Sequence, residues 1–154
     1  GRGFMREYEI NDATIAILPE VEGKATVLEE NYEYEIENKP LSILDYSCRY
    51  FGSSYPGRKQ GAKTILNSRY KLPILVEESQ NLIFFPTVSP EDDDCIWLSL
   101  QKIKNYKETD DGLNQTMVEF KNGKKLRLNV SYKSFENQLL RASRLESVLR
   151  NRKQ

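Results

Sequence analysis

Asn122-Gly123 stands between two runs that alternate apolar and polar side chains, residues 116–120 and 125–130, and this arrangement leaves few folds open. Such a pair takes up the backbone that a tight reversal needs, so the flanking runs are predicted to join as an antiparallel hairpin. Leu126, Leu128 and Val130 then fall on one face, and an isolated hairpin is stable only when such a face is covered. The following residues supply a cover. Ser131 or Ser134 is a suitable helix cap, and Phe135, Leu139, Ala142, Leu145, Val148 and Leu149 recur at helical spacing. A long helix is therefore predicted over residues 131–154, with arginines crowding its end. Its apolar stripe is expected to pack on the sheet in preference to serving as a recognition helix or a dimer interface.

Residues 14–18 and 32–36 read as further strands, with a turn near Glu22-Gly23-Lys24, so the chain opens as a meander. Pro40 suits a first helical position, and Leu41, Leu44, Cys48 and Phe51 share one face of a helix that ends at Gly52. A shorter helix is predicted from Pro56 to about Leu66, exposing Arg58, Lys59 and Lys63 while Ala62, Ile65 and Leu66 face inward. Residues 73–76 and 82–85 form a second hairpin closed by Pro86, and residues 96–103 another strand. The expected class is α+β: a mainly antiparallel sheet, one or two short helices after the first strands, and a long C-terminal helix. A chain of 154 residues supports one core, so residues 5–154 are expected to form a single domain, while residues 1–4, Gly1-Arg2-Gly3-Phe4, read as an expression scar. No apolar run approaches the roughly 20 residues that span a bilayer, and no signal peptide is seen, so a cytoplasmic location is expected.

The residue types present exclude much chemistry. There is no histidine, and Cys48 and Cys95 lack C-x-x-C spacing, so no zinc site, disulfide framework or histidine-dependent nucleophile is signalled. Neither an enzyme nor a cofactor is expected. Gly52-Ser53-Ser54-Tyr55-Pro56-Gly57 has the glycine spacing of a P-loop, but Arg58 and Lys59 stand where lysine and a metal-holding hydroxyl are needed. Glu91-Asp92-Asp93-Asp94 lacks the alternate ligand spacing of a calcium loop and reads as a solvated turn, not a metal site.

Charge carries the positive signal. The 23 basic and 23 acidic residues cancel in sum but are segregated along the chain. Residues 46–76 hold six basic residues and no acidic one, whereas residues 77–94 hold six acidic and no basic. Polyanions respond to local potential over about 8 Å of screening length, not to the total. Arg49, Arg58, Lys59, Lys63, Arg69 and Lys71 are interleaved with Tyr46, Tyr50, Phe51, Tyr55 and Tyr70, a composition that suits nucleic acid. On composition alone a solvated face paired with the protein's own acidic segments explains the block equally well. The glycine- and serine-rich loop tilts the balance, because its backbone N–H groups would approach a phosphate closely. The candidate contact set is Arg49, Ser53, Ser54, Tyr55, Arg58, Lys59, Lys63, Arg69 and Lys71. Outward Arg141, Arg144, Arg150, Arg152 and Lys153 would add phosphate contacts without sequence information. The same face also fits a module that captures an acidic protein, or one that binds RNA.

Several stretches are familiar in order and spacing: Asn11-Asp-Ala-Thr-Ile-Ala-Ile-Leu-Pro-Glu20, Ser47-Cys-Arg-Tyr-Phe-Gly-Ser-Ser-Tyr-Pro-Gly-Arg-Lys59, Phe84-Phe-Pro-Thr87, Phe120-Lys-Asn-Gly-Lys124 and Ser131-Tyr-Lys-Ser-Phe-Glu-Asn-Gln138. They resemble the ComK family of competence transcription factors, across most of residues 9–144. The resemblance implies an activator of DNA-uptake genes that binds double-stranded DNA at paired A/T-rich boxes, mainly through the minor groove, as a homo-dimer or higher assembly. It also implies RNA polymerase and a Clp protease adaptor as partners. A narrow A/T minor groove draws in arginine, so Arg49 and Arg58 are the first choices for insertion, with Lys59, Lys63 and Arg69 on flanking phosphates. Tyr55 either wedges into the DNA or packs its own loop. Family members continue into a C-terminal tail tied to activation and adaptor capture; a chain ending at Gln154 fits either a trimmed tail or a shorter natural member.

Overall fold

The computed structural model describes residues 5–153, so the expectation for residues 1–4 lies outside the described residues. The opening meander is present as β1 (Thr14–Glu20), β2 (Lys24–Glu29) and β3 (Glu33–Ile36), each antiparallel to the next. A 3-10 turn, Val21–Gly23, joins β1 to β2. β2 has no counterpart in the predicted strands. Its sequence Lys-Ala-Thr-Val-Leu-Glu ends in Glu29, which is buried and accepts hydrogen bonds from the Tyr8 hydroxyl and the Asn11 amide. Burial and the Glu29 charge together push the Tyr8 hydroxyl well above its ordinary range, so the proton stays on the phenol and bridges the two groups.

α1 (Pro40–Tyr50) begins with proline in its first turn, where the missing N–H costs nothing, and buries Pro40, Ile43, Leu44, Ser47 and Cys48. α2 (Tyr55–Leu66) follows after a four-residue connection and buries Ala62. β4 (Ile74–Glu77) and β5 (Leu82–Pro86) make the second predicted hairpin. The strand expected over residues 96–103 is broken. β6 (Trp97–Ser99) ends in a 3-10 turn, Leu100–Lys102, and β7 (Ile103–Glu108) starts in a different sheet. An unbroken apolar run shows that a segment is buried, but not where it changes pairing partner. β8 (Thr116–Phe120) and β9 (Lys125–Leu128) form the Asn122-Gly123 hairpin, with Gly123 at φ 90° and its N–H donating to Phe120 O at 2.9 Å. α3 (Tyr132–Arg152) is capped by Ser131, whose Oγ accepts from Ser134 N–H at 3.1 Å.

The first sheet has six strands in the order β3-β2-β1-β6-β5-β4, and the second has three, β7-β8-β9; all pairings between named strands are antiparallel. The expected α+β class is thus the observed one. Ile17, Val27, Ile36, Ile74, Phe84 and Trp97 of the six-stranded sheet pack against Ile43, Leu44 and Cys48 of α1. On the opposite face, Ile15, Ile83, Phe85 and Leu98 meet Val118, Phe120 and Leu128 of the small sheet, and Phe135, Ala142 and Leu145 of α3. Each large side chain buried here stabilises by about 1.5–3 kcal/mol, which holds α3 on the sheet as expected and not free in solvent. α2 runs along β4 and touches both α1 and α3, so the acid-free stretch of sequence ends up at one edge of the molecule. Among the described residues no helix is long and apolar enough to cross a membrane.

Candidate nucleic-acid interface

The connection between α1 and α2 explains itself residue by residue. Gly52 takes φ 91°, and its N–H donates to Arg49 O while Ser53 N–H donates to Cys48 O, closing α1. Ser54 caps α2 by accepting from Gly57 N–H at 3.0 Å, Tyr55 N–H donates to Asp45 Oδ1 at 2.9 Å, and Arg58 N–H donates to Ser54 O. Pro56 has no N–H to offer. A Cβ on Gly57 would lie 3.1 Å from Ser54 Oγ and 3.3 Å from Ser53 Oγ, so glycine keeps this turn tight. Of the amides expected to cradle a phosphate, those of Gly52, Ser53, Tyr55 and Gly57 already serve the protein's own oxygens, and the loop's glycines and serines build a helix junction.

The side chains around the junction divide into covered and free. Arg58, expected on the outer face of α2, is only 18% exposed, with Nη1 3.9 Å from Glu78 and a buried Nε that has no hydrogen-bond partner among the described residues. It faces the sheet edge because α2 must turn Ala62 inward, and position 58 lies one helical turn away on the same side. Arg49 is exposed, with Nε 3.2 Å from Asp45 Oδ2. Asp45 thus ties the α2 amide on one oxygen and Arg49 on the other, a role that no sequence pattern marks. Tyr55 packs edge-on against the buried Trp97, with ring centroids 6.2 Å apart, and burial pushes its hydroxyl up to about 12. Of its two predicted roles, packing is the one observed.

Beyond α2 lies a cleft of 730 Å³, walled by α2, residues 69–72, residues 87–92 and the start of α3. Of the predicted residues it brings together Tyr55, Lys59, Arg69 and Lys71, and leaves Arg49, Ser53, Ser54, Arg58 and Lys63 outside its lining. Among the described residues no carboxylate lies within ion-pair distance of Lys59, Lys63, Arg69 or Lys71. Ser131 and Ser134 also line the cleft, which sets the positive end of the 21-residue α3 beside these cations. Sequence reasoning treated that cap as structure only, because no pattern shows that residues 59 and 131 meet.

Charge across the cleft is uneven. Glu91 and Asp92 stand on the far wall. The Ser89 hydroxyl donates to Glu91 at 2.6 Å and, with a smaller contribution from Lys59, holds that carboxyl below its ordinary range.

Several expected outward cations of α3 are engaged elsewhere. Arg141 donates to Ser68 Oγ and Gln138 Oε1 at 2.7 Å each and to Tyr70 O, and burial pulls its pKa down. Lys153 donates to Asn81 Oδ1 and Glu78 O, and Arg150 pairs with Glu146 at 3.0 Å. Arg144 and Arg152 are exposed as expected. The neglected polar residue is Gln138, which is 2% exposed on the buried face of α3; a glutamine inside an apolar stripe reads as a break in the pattern.

The family model described as ComK protein matches residues 5–154. The chain is also similar to a competence transcription factor of Bacillus subtilis (strain 168), 41% identical over 151 residues that cover 96% of this chain and 78% of the relative. No solved structure matches it.

Proposed function

Since the chain belongs to the ComK family of competence transcription factors, and is a transcription factor and not an enzyme, we propose that residues 5–154 act as one DNA-binding domain that recognises A/T-rich boxes, mainly through the minor groove. The observation that carries this reading is a set of cations with no carboxylate within ion-pair distance among the described residues: Lys59, Arg69 and Lys71 at the cleft beside the α3 cap, and Lys63 on the same helix as Lys59 but outside the cleft lining. A duplex presents a continuous array of phosphates, and cations without internal partners pay no exchange of ion pairs on meeting it. In this reading Lys59, Lys63, Arg69 and Lys71 hold phosphates, and Arg49, exposed at the end of α1, reaches the narrow groove where negative potential is highest. Ser53 and Ser54 shape the junction that sets Arg49 beside α2. Arg58 adds its charge from behind the helix and does not insert.

Glu91 and Asp92 repel phosphate from the far wall and so fix the side on which DNA lies. Readout of A/T boxes through a degenerate groove favours shape over base-edge contacts, and pairing of boxes calls for a homo-dimer or higher assembly on the DNA. Contact with RNA polymerase, capture by a Clp protease adaptor and a cytoplasmic location belong to the same reading. Fluorescence anisotropy against a duplex with paired A/T boxes, a scrambled duplex of equal composition and a duplex RNA tests it. The boxed duplex is expected to bind tightest, with a minor-groove drug competing. Equal affinity for all three sinks the reading.

A further inference from the structure

The segment after α2 follows an unusual backbone path. Asn67 ends the helix at φ 50°, and Lys71 takes φ 48°, so two left-handed residues bracket Ser68-Arg69-Tyr70. Asparagine tolerates that conformation, but lysine does so only where its surroundings impose it. The surroundings are two side chains of α3. Gln138 Nε2 donates to Lys71 O and Pro86 O at 2.9 Å each, and Gln138 Oε1 accepts from Arg141. Arg141 in turn donates to Ser68 Oγ and Tyr70 O. The backbone of the loop is thus tied to the helix beneath it.

What the ties leave outside is equally specific. Arg69 is exposed, and Tyr70, at 77%, is the most exposed of the large aromatics among the described residues. A phenol ring held in water on a fixed backbone contributes nothing to the core, so its placement calls for an external surface. Its neighbours define the surface: Arg69 and Lys71 on either side, Lys59 across the lip, and the α3 cap alongside. That is a ring flanked by cations, the arrangement that meets the sugar and base edges of a groove while the flanks meet phosphates.

We propose that residues 67–71 are a second element that enters the DNA groove, in addition to Arg49, with Tyr70 as the inserted side chain and Gln138 and Arg141 as the positioning residues that fix its path; this rests on the DNA-binding reading above. Gln138 and Arg141 touch no DNA. They remove the alternative loop conformations that DNA binding would otherwise have to suppress.

The test uses the full chain and four variants: Tyr70→Ala, Tyr70→Phe, Gln138→Met, and a triple neutralisation of Lys59, Arg69 and Lys71 to glutamine. Affinity for boxed and scrambled duplexes is measured against salt, with hydrogen exchange of residues 67–72 followed in parallel. Tyr70→Ala is expected to weaken box binding roughly tenfold, about what one lost base contact gives, with an unchanged salt slope, while Tyr70→Phe restores most of it. Gln138→Met is expected to accelerate exchange of the loop and to reduce the preference for boxes, leaving the salt slope intact. Should Gln138→Met fail to fold, Arg141→Met with Arg141→Lys as its partial rescue gives the same comparison. If Tyr70→Ala binds like the parent while the triple variant loses DNA, the loop is not an inserted element, although the DNA-binding reading survives. If neither changes DNA binding, both fall.

Discussion

Removing the free cations of α2 and of the loop after it should change how binding responds to salt in a way that can be worked out in advance. Lys59, Lys63, Arg69 and Lys71 have no carboxylate within ion-pair distance among the described residues, so each is available for one phosphate. Each phosphate contact on B-DNA steepens the plot of log affinity against log salt by about 0.9. Between 50 and 200 mM salt, one contact therefore accounts for a loss of roughly 3.5-fold, and four for about 150-fold. The variant with all four changed to glutamine should show a slope shallower by about 3.6 than the parent. Fluorescence anisotropy on one boxed duplex, repeated at five salt concentrations, reads this slope directly. Arg127→Gln serves as the control, because Arg127 is held by Asp111 at 2.6 Å and by Gln115 at 2.8 Å on the small sheet. A quadruple variant with the parental slope, or a control that flattens it as much, refutes the assignment of these side chains to phosphates.

Three further outcomes follow from the packing. Ser131→Ala removes the side-chain cap of α3 and should cost about 1 kcal/mol in urea unfolding; a change below a few tenths would show that the α3 end needs no cap. Trp97→Phe should stay within about 1 kcal/mol of the parent, since packing lost at a buried ring is offset by removing an indole N–H that has no hydrogen-bond partner among the described residues. A loss of several kcal/mol, as for a pure cavity, would contradict that balance. Cys48 and Cys95 are pushed up by burial to about 12 and about 11, so both thiols stay protonated in the folded protein well above the pH at which an unfolded cysteine ionises. Folded-state values raised in this way give stability that is complete below about pH 8.5 and is lost as pH rises through 11 to 12. A thiol reagent at pH 8 should accordingly react only as fast as the chain opens; prompt labelling of either cysteine in the native state would show that it is not sealed.

Reading along the chain reached the elements whose signals are local. The Asn122-Gly123 hairpin, the Pro40 start of α1, the Ser131 cap and the apolar stripe of α3 each depend on residues within a turn or two of one another, so their side chains alone specify them. The basic character of residues 46–76 was legible for the same reason, since charge is a property of composition. Other features belong to distance. β2 stayed hidden because Glu29 finds Tyr8 and Asn11 across a fold that alternation does not foresee, and the strand predicted over residues 96–103 broke where the chain moved between sheets.

The same division runs through the candidate interface. Sequence alone determined which side chains are cationic; tertiary structure decided which of them are free. It turned Arg58 toward the sheet edge, occupied loop amides with Asp45 and Ser54, and bound Arg141 to the Ser68 hydroxyl and the Tyr70 carbonyl. The physical reason is that an ion pair or a buried hydrogen bond is decided by which groups folding brings within about 3 Å, and sequence separation says nothing about that distance.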